Sequence, residues 1–159
     1  MRTKTKVPAA FEGGCLCGAL RYRCEGEPLT LYTCHCTDCQ RQTGSAFGMS
    51  LMILRDKLQL LRGTPQTFTK RFADDGREKY AKFCGECGAR VWVEFSQAPQ
   101  VANIKPGTLD DTTWLEPIGQ IWTRSAQPWV NIPTGPLCFE GQPASMLPLI
   151  EAWQTRGRS

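Results

Sequence analysis

The 159-residue sequence has no uncharged apolar run of the length that a membrane-spanning helix needs. Its basic start, MRTKTK, is not followed by the apolar stretch of a secretory signal. No internal repeat, low-complexity linker, heptad or Gly-X-Y period is present, which excludes coiled coils and collagen. We therefore expect a cytoplasmic protein with a flexible N-terminal tail at 1–7 and a single domain at 8–155.

Helix-forming patterns are scarce, and most of the sequence indicates short strands joined by turns rich in glycine and proline. One helical turn is predicted at 37–42 and a C-terminal helix, capped by Ser145, at 145–154. Asp75-Gly76 predicts a hairpin turn. Strands are predicted at 11–12, 19–24, 29–33, 45–54, 66–72, 78–83, 89–95, 101–104 and 118–123. The predicted class is mainly β.

Large apolar side chains indicate where the core lies. The spacing of Met146, Ile150 and Trp153 predicts the buried face of the C-terminal helix. The other tryptophans that we expect to pack in the core, with one or two free to wall a pocket, are Trp92, Trp114, Trp122 and Trp129.

Cysteine is abundant and histidine is rare, with nine cysteines against one histidine. A disulfide framework spreads its cysteines, whereas ligands of one ion come in groups separated by one or two residues. The odd number also cannot pair fully. The groups are Cys15/Cys17, Cys34/Cys36/Cys39 and Cys84/Cys87, with Cys24 and Cys138 standing alone. We predict that the grouped thiols bind zinc and that the two isolated ones are buried apolar residues.

The grouping suggests how the thiols divide between two ions. A closed tetrahedral site takes four protein ligands, which the two doublets supply together without splitting the triplet. The triplet would then hold a second zinc with one open position, the arrangement of a catalytic site. Alternatively, His35, Cys24 or Cys138 completes the triplet, giving two structural sites. His35 follows Cys34 in an extended segment, so its side chain points to the opposite face, and we expect it to pack or to support the site. The alternative is that it carries a proton beside the zinc.

The formal net charge of +4 does not predict a nucleic-acid partner. Zinc ligands are thiolates, so seven of them with two divalent ions lower the formal charge to about +1. Lysine and arginine are also spread evenly along the chain and form no basic stripe.

Three motifs resemble the zinc motifs of the glutathione-dependent formaldehyde-activating (GFA) family, which includes the centromere protein V domain. They are GGCLCGALRY (13–22), CHCTDCQRQTGS (34–45) and FCGECG (83–88), and GTLDD (107–111) and Pro128-Trp129 resemble the family's downstream pattern. The resemblance implies a β-tent of stacked antiparallel sheets, in which the doublets hold a structural zinc and the triplet an exchangeable one. One departure is Gln120, which stands where the family commonly has a histidine and cannot titrate.

The resemblance further implies a carbon–sulfur lyase-like activity that joins glutathione and formaldehyde to S-(hydroxymethyl)glutathione. The catalytic residues would be the zinc-binding triplet, because zinc can activate an aldehyde or deprotonate a thiol. The expected partners are a small thiol and a small aldehyde, with no membrane. The alternatives are a non-catalytic zinc-stabilised binding module and a thiolate redox or zinc sensor.

Substrate-binding residues are expected directly after the triplet. The backbone N–H groups and hydroxyls of Thr43, Gly44 and Ser45 could hold a carboxylate of a glutathione-like ligand. A plain polar turn leading into the next strand is the alternative.

Overall fold

The structure, a computed structural model, describes residues 6–156. Strand accounts for 36% of the described residues and helix, short 3-10 turns included, for 17%, which confirms the mainly β class with a short C-terminal helix. The predicted tail at 1–7 lies outside the described residues except for its last two positions. The single domain at 8–155 stays a prediction.

Ten strands lie along the described part of the chain, and every predicted strand has a counterpart among them. The two α-helices are α1 (Thr37–Thr43) and α2 (Leu147–Thr155). The strands are β1 (Ala10–Gly14), β2 (Arg21–Glu25), β3 (Thr30–Cys34), β4 (Gly48–Leu54), β5 (Leu58–Arg62), β6 (Gln66–Arg71), β7 (Glu78–Phe83), β8 (Arg90–Phe95), β9 (Val101–Ile104) and β10 (Gly119–Ile121). Only β5 was not predicted, because Leu60 and Leu61, both exposed, interrupt the alternation that marks a strand.

The chain divides into two compact units. Unit 1 comprises the residues up to Pro28 and Met52–Leu115. Within it, β1, β2 and β5 form a three-stranded antiparallel sheet, with Phe11 opposite Cys24 and Tyr22 opposite Leu60. Strands β6, β7, β8 and β9 are consecutive antiparallel neighbours.

Aromatic side chains fill the interior of unit 1. The rings of Tyr22 and Trp92 meet edge to face with centroids 6.3 Å apart, and those of Phe11 and Trp114 lie 5.5 Å apart. The hydroxyl of Tyr22 lies 2.7 Å from Thr108 Oγ1, so this buried phenol keeps a hydrogen bond. Aromatic pairs of this kind stabilise a core beyond the area that they bury.

An ion pair ties the 107–111 segment to β2. Arg21 Nη1 donates to Asp110 Oδ1 at 2.8 Å, and the second guanidinium nitrogen contacts the other carboxylate oxygen. The guanidinium holds the pKa of the Asp110 carboxyl below its usual range. Because the pair is partly exposed, it orients the segment but contributes little to the stability of the protein.

Unit 2 comprises Leu29–Leu51 and the residues from Glu116 onward. Its β10 pairs in parallel with β3, with Gln120 opposite Thr33 and Ile121 opposite Cys34, and β4 lies on the other side of β3. Helix α2 packs against β3, where Thr30 Oγ1 donates to the Leu149 carbonyl at 3.0 Å.

Helix α2 differs in two details from the prediction. It begins at Leu147, and its cap position is Met146, although the Ser145 hydroxyl still accepts from the Leu147 N–H at 3.1 Å. Its buried residues are Leu149 and Trp153. Met146 and Ile150 are only half-buried, because the short helix faces the core along a narrower stripe than the spacing suggested.

The tryptophans divide between core and surface. Trp92 and Trp114 are buried as predicted, as is Trp153. Trp122 is half-buried. Trp129 is 73% exposed, so its placement in the core was wrong. Its indole N–H donates to Gln127 Oε1 at 2.7 Å, which satisfies the ring's polar group outside the core.

Gly119 of β10 leaves the room that α2 needs. An added Cβ would overlap Leu149 Cδ2 and lie 2.7 Å from the Leu137 carbonyl oxygen. We expect Gly119→Ala to lower the free energy of unfolding by about 1–3 kcal/mol, since the helix must shift. Urea denaturation followed by circular dichroism measures this. Gly135→Ala is the matched control in the same unit, because an added Cβ there meets nothing within 4 Å, and an equal loss at both positions would contradict the explanation.

Candidate metal centres

The first cluster joins the doublets Cys15/Cys17 and Cys84/Cys87, all in unit 1. Their Sγ atoms lie within 4.8 Å of one another. Cys17 Sγ is 3.6 Å from Cys15 Sγ and 3.8 Å from Cys84 Sγ. A tetrahedral zinc ion with Zn–S bonds of about 2.3 Å holds its sulfurs about 3.8 Å apart. The spacing and the donor chemistry of this four-cysteine cluster therefore fit a closed zinc site.

Each doublet lies in a tight turn between antiparallel strands. In the turn between β1 and β2, the Cys15 N–H donates to the Leu20 carbonyl at 3.1 Å and the Leu20 N–H to Cys15 Sγ at 3.1 Å. In the turn between β7 and β8, the Cys84 N–H donates to the Ala89 carbonyl at 2.9 Å. These bonds fix the backbone, so that both thiols of a doublet reach the same point.

The four thiols cannot all ionise readily on their own. The Ala89 N–H lowers the pKa of Cys87 to about 6. The Ala19 N–H acts on Cys17 in the same direction, yet the neighbouring thiols, Cys15 foremost, raise the pKa of Cys17 to about 12. Each thiolate makes the next one more costly, and a divalent cation removes that conflict. The electrostatics of the cluster therefore agree with its geometry.

The triplet Cys34, Cys36 and Cys39 lies where β3 ends and α1 begins, in unit 2. Its three Sγ atoms also lie within 4.8 Å of one another. Cys36 is the N-cap of α1, and its Sγ accepts the Cys39 N–H at 3.4 Å. Cys34 and Cys39 are buried, whereas Cys36 is half-buried. The helix start thus brings the sulfurs together with one of them facing outward.

No fourth protein ligand joins the triplet over residues 6–156, since no other cysteine, histidine or carboxylate lies within the same distance of all three sulfurs. The neighbouring Cys36 and Cys39 thiols, together with burial, raise the pKa of the Cys34 thiol far above its ordinary value. Three thiolates at this spacing need a cation to coexist. The donor set fits a metal ion held by three sulfurs.

Gly48 of β4 allows the strand to pass close to the triplet. An added Cβ at this position would lie 3.3 Å from Cys39 Cβ and 3.5 Å from Cys39 Sγ. The contact with Cys39 Cβ would be tighter than usual, so glycine lets the strand pass without a small displacement of this ligand's side chain.

His35 lies beside the triplet without joining it. It is 1% exposed, and its Nε2–H donates to Gln120 Oε1 at 2.7 Å. An amide oxygen only accepts, so this bond assigns the ring proton to Nε2. His35 Nδ1 is buried with no hydrogen-bond partner, and the ring contacts Phe47 with centroids 5.3 Å apart. Gln120, at the position where the resemblance implies a histidine, thus orients His35.

The predicted substrate-binding residues form the exposed C-terminal turn of α1. Gly44 adopts the left-handed conformation with φ 61°, and its N–H donates to the Gln40 carbonyl. The Ser45 N–H donates to the same carbonyl at 3.3 Å, and Thr43 Oγ1 donates to the Cys39 carbonyl at 2.8 Å. These groups therefore cap the helix, and their binding of a substrate carboxylate stays a prediction.

The two isolated cysteines lie outside both clusters. Cys24 is buried, and burial raises its pKa to about 12, as expected for a small core residue. Cys138 is half-buried, so its prediction as a buried residue was wrong. Its backbone forms a parallel bridge with Gln120 of the edge strand β10, and this position is less covered than a central strand.

Residue-by-residue reasoning missed a chain of side-chain amides next to the triplet. Gln40 Nε2 donates to the His35 carbonyl at 2.8 Å and to the Ser125 carbonyl at 2.9 Å. Gln127 Nε2 donates to Gln40 Oε1 at 3.2 Å. Gln40 follows Cys39 directly, which is a local signal, but nothing in the sequence links it to a glutamine 87 positions away.

The fold and the two clusters define a mainly β protein that could hold metal ions at two cysteine sites, consistent with zinc. No helix in residues 6–156 is both long and apolar enough to cross a membrane. The chain belongs to the glutathione-dependent formaldehyde-activating enzyme (GFA) family, whose model matches residues 10–125.

Two relatives show how far the similarity extends. A protein of Halomonas elongata, provisionally named glutathione-dependent formaldehyde-activating enzyme, is 25% identical over 153 residues, which cover 92% of this chain and 95% of that protein. A crystal structure of a Rhodobacter sphaeroides protein is 20% identical, with a TM-score of 0.49 over 64% of this chain and 89% of that one.

Proposed function

We propose that this chain is a zinc-dependent carbon–sulfur lyase-like enzyme that joins a glutathione-like thiol to a small aldehyde, as an S-(hydroxymethyl)glutathione synthase does. The observation that carries the proposal is the triplet, in which three thiols converge and no fourth protein ligand joins them over the described residues. Membership of the GFA family and the provisional name of the Halomonas relative support glutathione and formaldehyde as the reacting pair.

Each cluster has a separate role in this proposal. The structural zinc would be held by Cys15, Cys17, Cys84 and Cys87, and the second by Cys34, Cys36 and Cys39. A zinc ion at the triplet would supply Lewis acidity toward an aldehyde oxygen or a thiol. In the reaction, the thiol sulfur bonds to the aldehyde carbon, and the thiol proton ends on the aldehyde oxygen.

The chain's own residues shape the site around these ligands. Buried Cys34 and Cys39 exclude water from one side, and half-buried Cys36 marks the side from which a ligand enters. The Cys39 N–H orients the Cys36 sulfur, and the exposed turn at 43–45 would contact a substrate carboxylate. None of the nine cysteines forms a disulfide bond, and reduced cysteines persist in a reducing compartment, so the proposal places the protein in the cytoplasm.

Zinc content and turnover, measured on the purified chain, test the proposal. We expect about two zinc ions per chain, falling to about one after incubation with glutathione and gel filtration, because an open three-sulfur site exchanges its metal more readily than a closed one. We also expect formaldehyde consumption that requires glutathione. S-methylglutathione, which has no free thiol, is the matched control and should support no consumption.

Two results would contradict the proposed enzymatic function. Zinc that stays at about two per chain, with no thiol-dependent consumption, would indicate two structural sites and a binding module. Zinc released by oxidant, again without turnover, would indicate a thiolate sensor.

A further inference from the structure

Gln40 connects the triplet to the 125–129 segment through a fully used side-chain amide. Its nitrogen donates to the carbonyls of His35 and Ser125, and its oxygen accepts from Gln127 Nε2 at 3.2 Å. His35 stands between two triplet cysteines, so one of these bonds fixes the peptide that separates Cys34 from Cys36. The other two hold the 125–129 segment beside α1.

The chain of hydrogen bonds ends at an exposed aromatic ring. Trp129 Nε1 donates to Gln127 Oε1 at 2.7 Å, so both ends of the Gln127 amide are also used. The direction of donation is consistent throughout, from the indole to Gln127, to Gln40 and then to the two carbonyls. Three hydrogen bonds therefore separate the indole from the peptide between two triplet thiols.

Trp129 is the unusual member of this chain, because it is 73% exposed although its orientation is fixed. An exposed indole is normally free to rotate, and contact of its apolar ring with water is unfavourable. Held rigid, it offers a flat apolar face at little further loss of side-chain entropy, as aromatic residues do in binding sites.

We infer that Trp129, positioned by Gln127 and Gln40, is a specificity-determining wall that packs against the peptide portion of the thiol substrate while its sulfur occupies the triplet. This inference rests on the proposed function and names the part of the substrate that the triplet does not recognise. Amide planes stack on indole faces, so the ligand class is a thiol that carries peptide groups, in preference to a small alkyl thiol.

Steady-state kinetics of the zinc-loaded full chain test the wall. The probes are glutathione, which carries two amide groups, and 2-mercaptoethanol, which carries none. We expect Trp129→Ala to raise KM for glutathione about tenfold with little change in kcat, and to leave KM for 2-mercaptoethanol unchanged. Gln127→Leu should also raise KM for glutathione, because it removes the hydrogen bond that orients the indole. Phe68→Ala removes a comparably exposed aromatic residue of unit 1 and should change neither KM.

Fluorescence quenching gives a second reading that does not depend on turnover. Acrylamide reaches exposed tryptophans, so glutathione should protect the wild-type chain from quenching and should protect the Trp129→Phe variant much less. Circular dichroism confirms that each variant is folded.

The outcomes separate this inference from the proposed function. If Trp129→Ala leaves the kinetics with glutathione unchanged while the wild-type chain is active, the proposed role of Trp129 is overturned and the proposed enzymatic function is kept. An equal rise in KM for both thiols also overturns the proposed role of Trp129, because the effect would then lie at the triplet. If the wild-type chain neither binds nor uses glutathione, the proposed function and the wall both fail.

Discussion

Cys36→Ser is expected to lower thiol-dependent aldehyde consumption by more than about 100-fold while the protein stays folded. Cys36 is the half-buried member of the triplet, so in the proposed reaction its loss removes a ligand on the side where a substrate would enter. Serine is a preferred N-cap residue, and its hydroxyl can accept the Cys39 N–H that the Cys36 sulfur now accepts. The substitution therefore separates the metal-binding role of Cys36 from its role in starting α1.

Three measurements on the purified variant check this expectation. Elemental analysis should find about one zinc ion fewer per chain than in the wild type. Urea denaturation should show a change in the free energy of unfolding within about 1 kcal/mol, and the aldehyde assay should show the loss of turnover. Cys138→Ser is the matched control, a half-buried cysteine outside both clusters that should keep activity. A Cys36→Ser protein with full activity would remove the triplet from the proposed reaction.

Cys84→Ala is expected to cause the largest loss of stability of any single change considered, enough to leave unit 1 unfolded or with a broad, non-cooperative transition. Cys84 is 2% exposed in the turn between β7 and β8, and its sulfur lies 3.8 Å from that of Cys17, 67 positions away. Apparent binding free energies of structural zinc are about 10–16 kcal/mol, and removing a ligand forfeits a large part of that.

Cys24→Ala provides a matched control for this prediction. Cys24 is 1% exposed in the same unit but belongs to neither cluster, so the same atoms are deleted without touching a metal ligand. The control should cost about 1–2 kcal/mol, as a small core deletion does. Thermal denaturation with zinc analysis compares the two variants. Equal losses at Cys84 and Cys24 would show that the four-cysteine cluster stabilises unit 1 by packing alone.

Local patterns predicted much of the fold. The hairpin over 66–83 followed from alternation on both sides of Asp75-Gly76, because side-chain period and turn chemistry are properties of a few adjacent residues. β5 was missed for the same reason, since all its side chains except Leu58 are exposed and leave no period to detect. The surface position of Trp129 was missed because residue type alone favours burial, whereas its N–H is satisfied by a neighbour outside the core.

The spacing of the cysteines was enough to predict which of them act together, because ligands that share one turn lie one or two residues apart, whatever the rest of the fold does. The motifs that indicate the family are equally local. By contrast, two features of the site follow from long-range packing: no fourth ligand reaches the triplet within the described residues, and Gln120 holds His35. The same packing brings Gln40, Gln127 and Trp129 into one chain beside the site. These contacts join positions about 85 residues apart, and the approach of such positions depends on how strands pair and helices pack.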